Sequence, residues 1–103
     1  MIDAVSSGAR GSEVVVPLRG EIDVEDCVTT KERLHGLVDD GIRHLVLDLA
    51  ELSFIDSTAL GMLVGLHRRL EGLEGRLHLR APTPPIRRAL AVTGLDRILH
   101  ITD

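Results

Sequence analysis

Apolar residues recur along this chain in two rhythms, and the alternation between them is the first structural information it carries. IDAVS and EVVVPLRGEI are rich in β-formers and are separated by GARGS, whose two glycines suit a hairpin turn, so a pair of strands is expected to open the sheet. From Val24 to Asp40 the period changes. Cys27, Leu34 and Val38, supported by Thr30 and Leu37, keep helical spacing, with Asp23 as the expected N-cap and Gly41 as the stop. HLVLDLA then reads as a compact interior strand whose one polar interruption is Asp48. A second helix runs through Leu70, and GRLHLRA alternates Leu77 and Leu79 with His78 and Arg80, as a strand with one wet face does. TPP opens a third helix, with Thr83 to cap it and Pro84 in its first turn, which ends at Gly94; RILHIT closes the chain as a short strand. Strands alternating with helices predict an α/β (α+β) fold, a mixed β-sheet of four to five strands with interspersed helices packed on it.

The second helix has the most informative geometry. At 100° per residue, Leu60, Leu63, Val64, Leu66 and Leu70 gather on one face with Ala59 among them, which explains the helix by burial against the sheet. The opposite face carries Ser57, Thr58, Gly61, Gly65, Arg68 and Arg69, with Met62 on its edge. A glycine in an exposed helix interior costs about 1 kcal/mol relative to alanine. Two of them one turn apart are either tolerated by packing or serve a flat surface on which another backbone docks, with Ser57 at its rim.

Composition narrows the function classes. The 103 residues are 44% hydrophobic, enough for one core without metals or disulfides, and the whole chain 1–103 is read as a single domain. Aromatic content is 1%, Phe54 being the one ring of that kind, so stacking on bases or sugars is not available. The net charge of -4, with no basic tract longer than an Arg pair, argues against direct nucleic-acid or anionic-membrane binding. Cys27 stands alone, the opening MIDAV has no signal-peptide pattern, and LGMLVGL falls far short of the roughly 20 residues of a membrane span, so a cytoplasmic protein is expected. His35, His44, His67, His78 and His100 form no close ligand pair; solvated or half-buried roles are expected, with no metal and no cofactor. Arg68, Arg69, Arg87 and Arg88 read as solvated helix faces, or as partners for acidic residues elsewhere.

FIDSTALG, residues 54 to 61, places an acid and two hydroxyls between two apolar runs. Its serine can cap a helix, attack a substrate or receive a phosphate. Catalysis is disfavoured: there is no G-x-S-x-G elbow, no phosphate-binding glycine loop and no histidine nearby in sequence to act as base, so no catalytic residue is assigned. On the residues alone, simple capping by Asp56 and Ser57 is the plainer reading.

The segments LRGEID (18–23), LVLDLAELSFIDSTALG (45–61) and TGLDRIL (93–99) together resemble the successive signatures of STAS domains, specifically the bacterial anti-sigma factor antagonists, over nearly the whole chain. The resemblance implies that Ser57 is phosphorylated by a cognate anti-sigma factor with serine kinase activity. It also implies that the unphosphorylated form binds that kinase and frees a sigma factor, and that a serine phosphatase restores the phosphorylated form. Helix geometry and the resemblance together give an expected contact surface of Asp23, Asp56, Ser57, Thr58, Gly61, Met62 and Gly65; Asp23 reads most simply as the cap of the first helix, and the resemblance implies that its loop also lies near the phosphorylation site. Ala59 stands where many members have glycine, and the sequence ends at Asp103, where members commonly continue into a further helix. A non-switching adaptor, such as the STAS subunit of a transporter ATPase or of a stress-signalling assembly, is the competing role.

Overall fold

The structure, a computed structural model, describes the backbone of Ser6–Ser7 and residues 13–103. Strands β1 (Ser6–Ser7), β2 (Glu13–Ile22), β3 (His44–Ile55), β4 (Arg76–Arg80) and β5 (His100–Thr102) form one sheet in the order β1-β2-β3-β4-β5. Helices α1 (Val24–Asp39), α2 (Ser57–Gly72) and α3 (Pro84–Val92) connect the later strands, with a 3-10 turn at Leu95–Arg97 before β5. β1 pairs antiparallel with β2, Ser6 opposite Val15, as the opening pair of strands requires; the GARGS turn and most of IDAVS lie outside the described residues. Every other pairing is parallel, so the sheet is mixed as expected.

Parallel neighbours cannot be joined by a tight turn, and right-handed crossovers carry α1 and α2 to the same side of the sheet. The strand pattern matches. Val14, Leu45 and Leu77 lie side by side across β2, β3 and β4, as do Val16, Leu47 and Leu79, and all are buried. Cys27, Leu34 and Val38 of α1 and Ala59, Leu63, Leu66 and Leu70 of α2 complete the same core. Burial at about 25 cal/mol per Å² of aliphatic surface is what holds these elements, since Phe54 stands exposed and adds nothing to the core. Strand positions between these core residues are polar or half-buried. There Asp48, the polar interruption in HLVLDLA, pairs with Arg80 of β4 at 3.0 Å and accepts the Ala50 N–H at 3.0 Å. The backbone donor first, and then Arg80, hold its carboxyl below the usual carboxylate range.

Four elements differ from the sequence reading. β3 continues to Ile55 instead of ending near Ala50, because Leu52 and Ile55 are buried at a spacing of three, out of step with strand alternation. The cause lies in β3 itself, which bulges twice against β2: Asp48 to Glu51 lies opposite the shorter step from Pro17 to Arg19, and Leu52 to Phe54 opposite the step from Gly20 to Glu21, while β2 bends at Gly20, φ 71°. Thr83 holds the N-cap position of α3 with an extended backbone, yet its hydroxyl makes no cap and donates instead to the Leu52 carbonyl at 2.8 Å, tying α3 to β3. α3 ends at Val92 and RILHIT divides into the 3-10 turn and a three-residue strand, His100–Thr102. On α2, Val64 is only half-buried, while His67 is buried with 5% exposure, against the expectation that the histidines are wet or half-wet.

Gly75 links α2 to β4 through a close approach that admits no side chain: a Cβ there would fall inside the van der Waals surface of the Arg43 carbonyl oxygen, which already accepts the Arg76 N–H at 2.8 Å. The neighbour is backbone and cannot swing aside. Gly75→Ala is therefore expected to lower stability by about 1 to 3 kcal/mol, read from the midpoint of urea denaturation.

Candidate docking and modification site

β2 and β3 finish together. Ile22 pairs with Ile55, so the residues that follow, Asp23 and Asp56, leave the same sheet edge side by side. Each has an extended backbone and each caps the helix it precedes: the Asp23 carboxylate accepts the Asp26 N–H at 2.9 Å and the Asp56 carboxylate accepts the Ala59 N–H at 2.9 Å. Two orphan amides are satisfied in this way, one at each helix start. Ser57 consequently is not the cap. It takes the first helical position of α2, exposed, with exposed Thr58 after it. The two helix starts are electrostatic neighbours: burial raises the Cys27 thiol pKa above its ordinary value, and the Asp56 carboxylate raises it further.

Below Ser57 a groove of about 270 Å³ runs along the seam between α1 and α2. Cys27, Val28 and Lys31 line it from α1, and Thr58, Gly61, Met62 and Gly65 line it from α2. Gly61 and Gly65 are exposed, and a Cβ at either would meet nothing within 4 Å. The alternative that they pack inward is excluded. Met62 departs from its expected place on the edge of the wet face, because at 5% exposure it is part of the core and presents only a sliver to the groove. Thus of the seven residues assigned from sequence, Thr58, Gly61, Met62 and Gly65 line the groove and Asp23, Asp56 and Ser57 stand at its sheet-edge end.

The α1 wall of that groove was not assigned from sequence, although Val28 and its neighbour Val24 carry a usable signal: they are valines one turn apart on a flank of α1, exposed by 56% and 58%. Phe54, at 49% exposure, also stands out in water, beside a second hollow lined by Ile55, Pro84, Pro85 and Arg88. The arginine pairs differ internally. Arg68 is exposed, whereas Arg69 is half-buried and bonds across to α1; Arg88 is exposed, whereas Arg87 pairs with Asp103. His67 Nε2 lies 3.4 Å from Glu71, its Nδ1 has no partner among the described residues, and its ring meets that of His100 edge-on at 6.3 Å. Among the described residues no helix is long and apolar enough to cross a membrane.

The STAS domain model of protein families matches residues 4–103. The chain belongs to the STAS domain family. Among curated relatives, an anti-sigma-B factor antagonist of Staphylococcus aureus is 31% identical over 88 residues, covering 85% of this chain and 82% of the relative. An anti-sigma F factor antagonist of Paenibacillus polymyxa is 30% identical over 95 residues, covering 87% and 78%. Among solved structures, an anti-sigma factor antagonist from Mycobacterium paratuberculosis superposes with a TM-score of 0.86 at 28% identity, over 98% of this chain and 85% of that one. The antagonist SpoIIAA superposes in its unphosphorylated form with a TM-score of 0.85 at 25% identity, over 100% of this chain and 89% of that one. In its phosphorylated form, described as a Bacillus cell fate determinant, the TM-score is 0.78 at 25% identity, over 100% and 92%. These relatives are named as regulators and not as enzymes.

Two stability outcomes follow from the geometry of this STAS domain. Gly61→Gln and Gly65→Gln remove an exposed helical glycine without meeting a neighbour, and each is expected to raise stability by roughly 0.5 to 1 kcal/mol in thermal melts. Asp56→Ala removes the cap of α2 and is expected to lower it by about 0.5 to 2 kcal/mol.

Proposed function

We propose that this STAS domain is an anti-sigma factor antagonist whose binding is switched by phosphorylation of Ser57. In the unphosphorylated form, the groove between α1 and α2 and the surface around Asp23, Asp56, Ser57, Thr58, Gly61, Met62 and Gly65 dock an anti-sigma factor with serine kinase activity, and sigma factor is released. Phosphate on Ser57 ends that binding, and a serine phosphatase renews it. The observation that carries this reading is the exposed Ser57 hydroxyl at the first position of α2, freed from capping by Asp56 and standing at the end of a groove whose glycines leave its floor open. The antagonist names of the relatives and the fold match to SpoIIAA with and without its phosphate support it.

Magnitudes assign the effect of the phosphate to the interface. Phosphorylation adds about -1.5 to -2 charges, and the start of a helix favours an anion by about 0.3 to 1 kcal/mol. Asp56, Asp23 and the first-turn acids Glu25 and Asp26 of α1 oppose it from nearby, screened by water. The two contributions are small and opposite, so the fold tolerates the modification. Against a docked partner the same charge loses its water, at a cost of several kcal/mol, which is two or more orders of magnitude in affinity.

Incubation with ATP and the serine-kinase anti-sigma factors encoded in the same genome is expected to add one phosphate, located on Ser57 by mass spectrometry, and none to Ser57→Ala. Equal labelling of Ser57→Ala, on Thr58 or elsewhere, would refute the assignment. Ser57→Glu is expected to melt within about 0.5 kcal/mol of the parent while losing affinity for the kinase by at least about tenfold in titration calorimetry. Gly61→Gln and Gly65→Gln are expected to lose binding as they gain stability; a non-switching adaptor would bind equally well as parent and as Ser57→Glu.

A further inference from the structure

One turn beyond the groove, the same helix seam is closed by Arg69. Its Nη1 donates to the His35 ring at Nδ1, 2.9 Å away, and to the His35 carbonyl at 3.2 Å, while its Nη2 donates to the Asp39 carboxylate. Among the described residues, every hydrogen bond that joins α1 to α2 is made by this one guanidinium. A guanidinium has no acceptor, so the bond to Nδ1 requires a neutral His35 with its proton on Nε2. The spacing is regular: Lys31 and Gly65 line the groove, and His35 and Arg69 follow each of them by four residues, one helical turn further along the seam.

We propose that Arg69, His35 and Asp39 form a proton-sensitive clasp that fixes the separation of α1 and α2, so that acidification loosens the groove and weakens whatever docks in it. The docking half of this rests on the functional reading above; the clasp itself does not. The charged groups acting on the His35 ring are Arg69 from α2 and, on its own helix, Lys31 and Asp39. Burial first, then Arg69 and Lys31, lower the His35 pKa from its ordinary value of about 6.5, and Asp39 opposes them in part. The sign follows. With the folded value depressed, the unfolded chain takes up the proton first, so the contribution of the clasp is complete above about pH 6.5 and is lost as pH falls through the window beneath it. Protonated, Nδ1 turns from acceptor to donor and faces a cation; Arg69 then keeps only the His35 carbonyl and Asp39.

The clasp is tested on the protein alone by following backbone amides between pH 7.5 and 5.0 in ¹H–¹⁵N spectra, with the His35 ring followed in parallel. The Gly61 and Gly65 amides are expected to titrate with the His35 midpoint, below that of an ordinary histidine. His35→Asn, whose side-chain oxygen falls near the position of Nδ1 and accepts from Arg69 at every pH, is expected to abolish that titration. Arg69→Met is expected to bring the same amides close to their acidic positions already at pH 7.5. His67 also lies on α2, between Gly65 and Arg69, and the His35→Asn variant separates any effect of it from that of His35. Persistence of the Gly61 and Gly65 transitions in His35→Asn, or amides that do not move while His35 titrates, would overturn the clasp. For docking, the probe is the serine-kinase anti-sigma factor that phosphorylates Ser57. Between pH 7.5 and 5.5 the parent is expected to lose about fivefold more affinity for it than His35→Asn loses, the scale of one ordinary hydrogen bond. Equal losses in the two proteins would overturn the link to the groove; no binding at any pH would refute the docking reading, with the spectra still deciding the clasp.

Discussion

The parallel pairing of β2 with β3, carried through two register shifts to its last residues, is the constraint on which the rest of the structure depends. Because Ile22 and Ile55 are partners, both strands hand over to their helices at one edge, and Asp23 and Asp56 become twin caps. Two parallel crossovers of the same hand must then lay α1 and α2 side by side, pointing the same way. A seam between parallel helices is the unavoidable product. Its sheet-edge end carries two helix starts with their positive dipole ends and two capping carboxylates, and its far end is closed by Arg69.

Within α2 the two demands on one helix are separated by angle. Ala59, Leu63, Leu66 and Leu70 are wholly buried and supply the stability, while Gly61 and Gly65 stand in open space. Each exposed glycine costs about 1 kcal/mol, which is small beside the 1.5 to 3 kcal/mol that burial of one leucine side chain contributes. The helix can therefore carry both and still form. Met62 is the residue that belongs to both sides, buried in the core yet reaching the groove, so its replacement would disturb fold and surface together.

Helices and their caps were the legible part of this fold, because Asp23, Asp56 and the 3.6-residue spacing of leucines act locally. The exposure of Gly61 and Gly65 was legible for the same reason: angle on a helix is a property of sequence. What the sequence hid depends on partners far along the chain. The extension of β3 to Ile55 runs through two bulges in β3, opposite Pro17–Arg19 and Gly20–Glu21 of β2, which break the period of two on which a strand is recognised. Arg69 reads as a wet helix residue until α1 is set beside it, and Thr83, whose neighbours describe a cap, spends its hydroxyl on the Leu52 carbonyl instead. The buried His67 is a different case, since its angle on the helix sets it between Leu60 and Leu63 on the apolar face, and its burial follows from that local spacing.

The apolar residues left in water bear on how a single phosphate could control docking at such a site. Val24, Val28 and Phe54 are each about half exposed or more, and each lies close in sequence to the paired caps or to the groove they lead into. They contribute nothing to the core. A partner that covered them would gain the usual apolar stabilisation and would, in the same step, displace water from the hydroxyl of Ser57. Burial and charge are then coupled through geometry: the tighter the apolar surround is sealed, the lower the local dielectric and the larger the cost of an anion at its centre. On the proposed reading, a charge that the free protein tolerates at its surface would thereby become decisive at the interface.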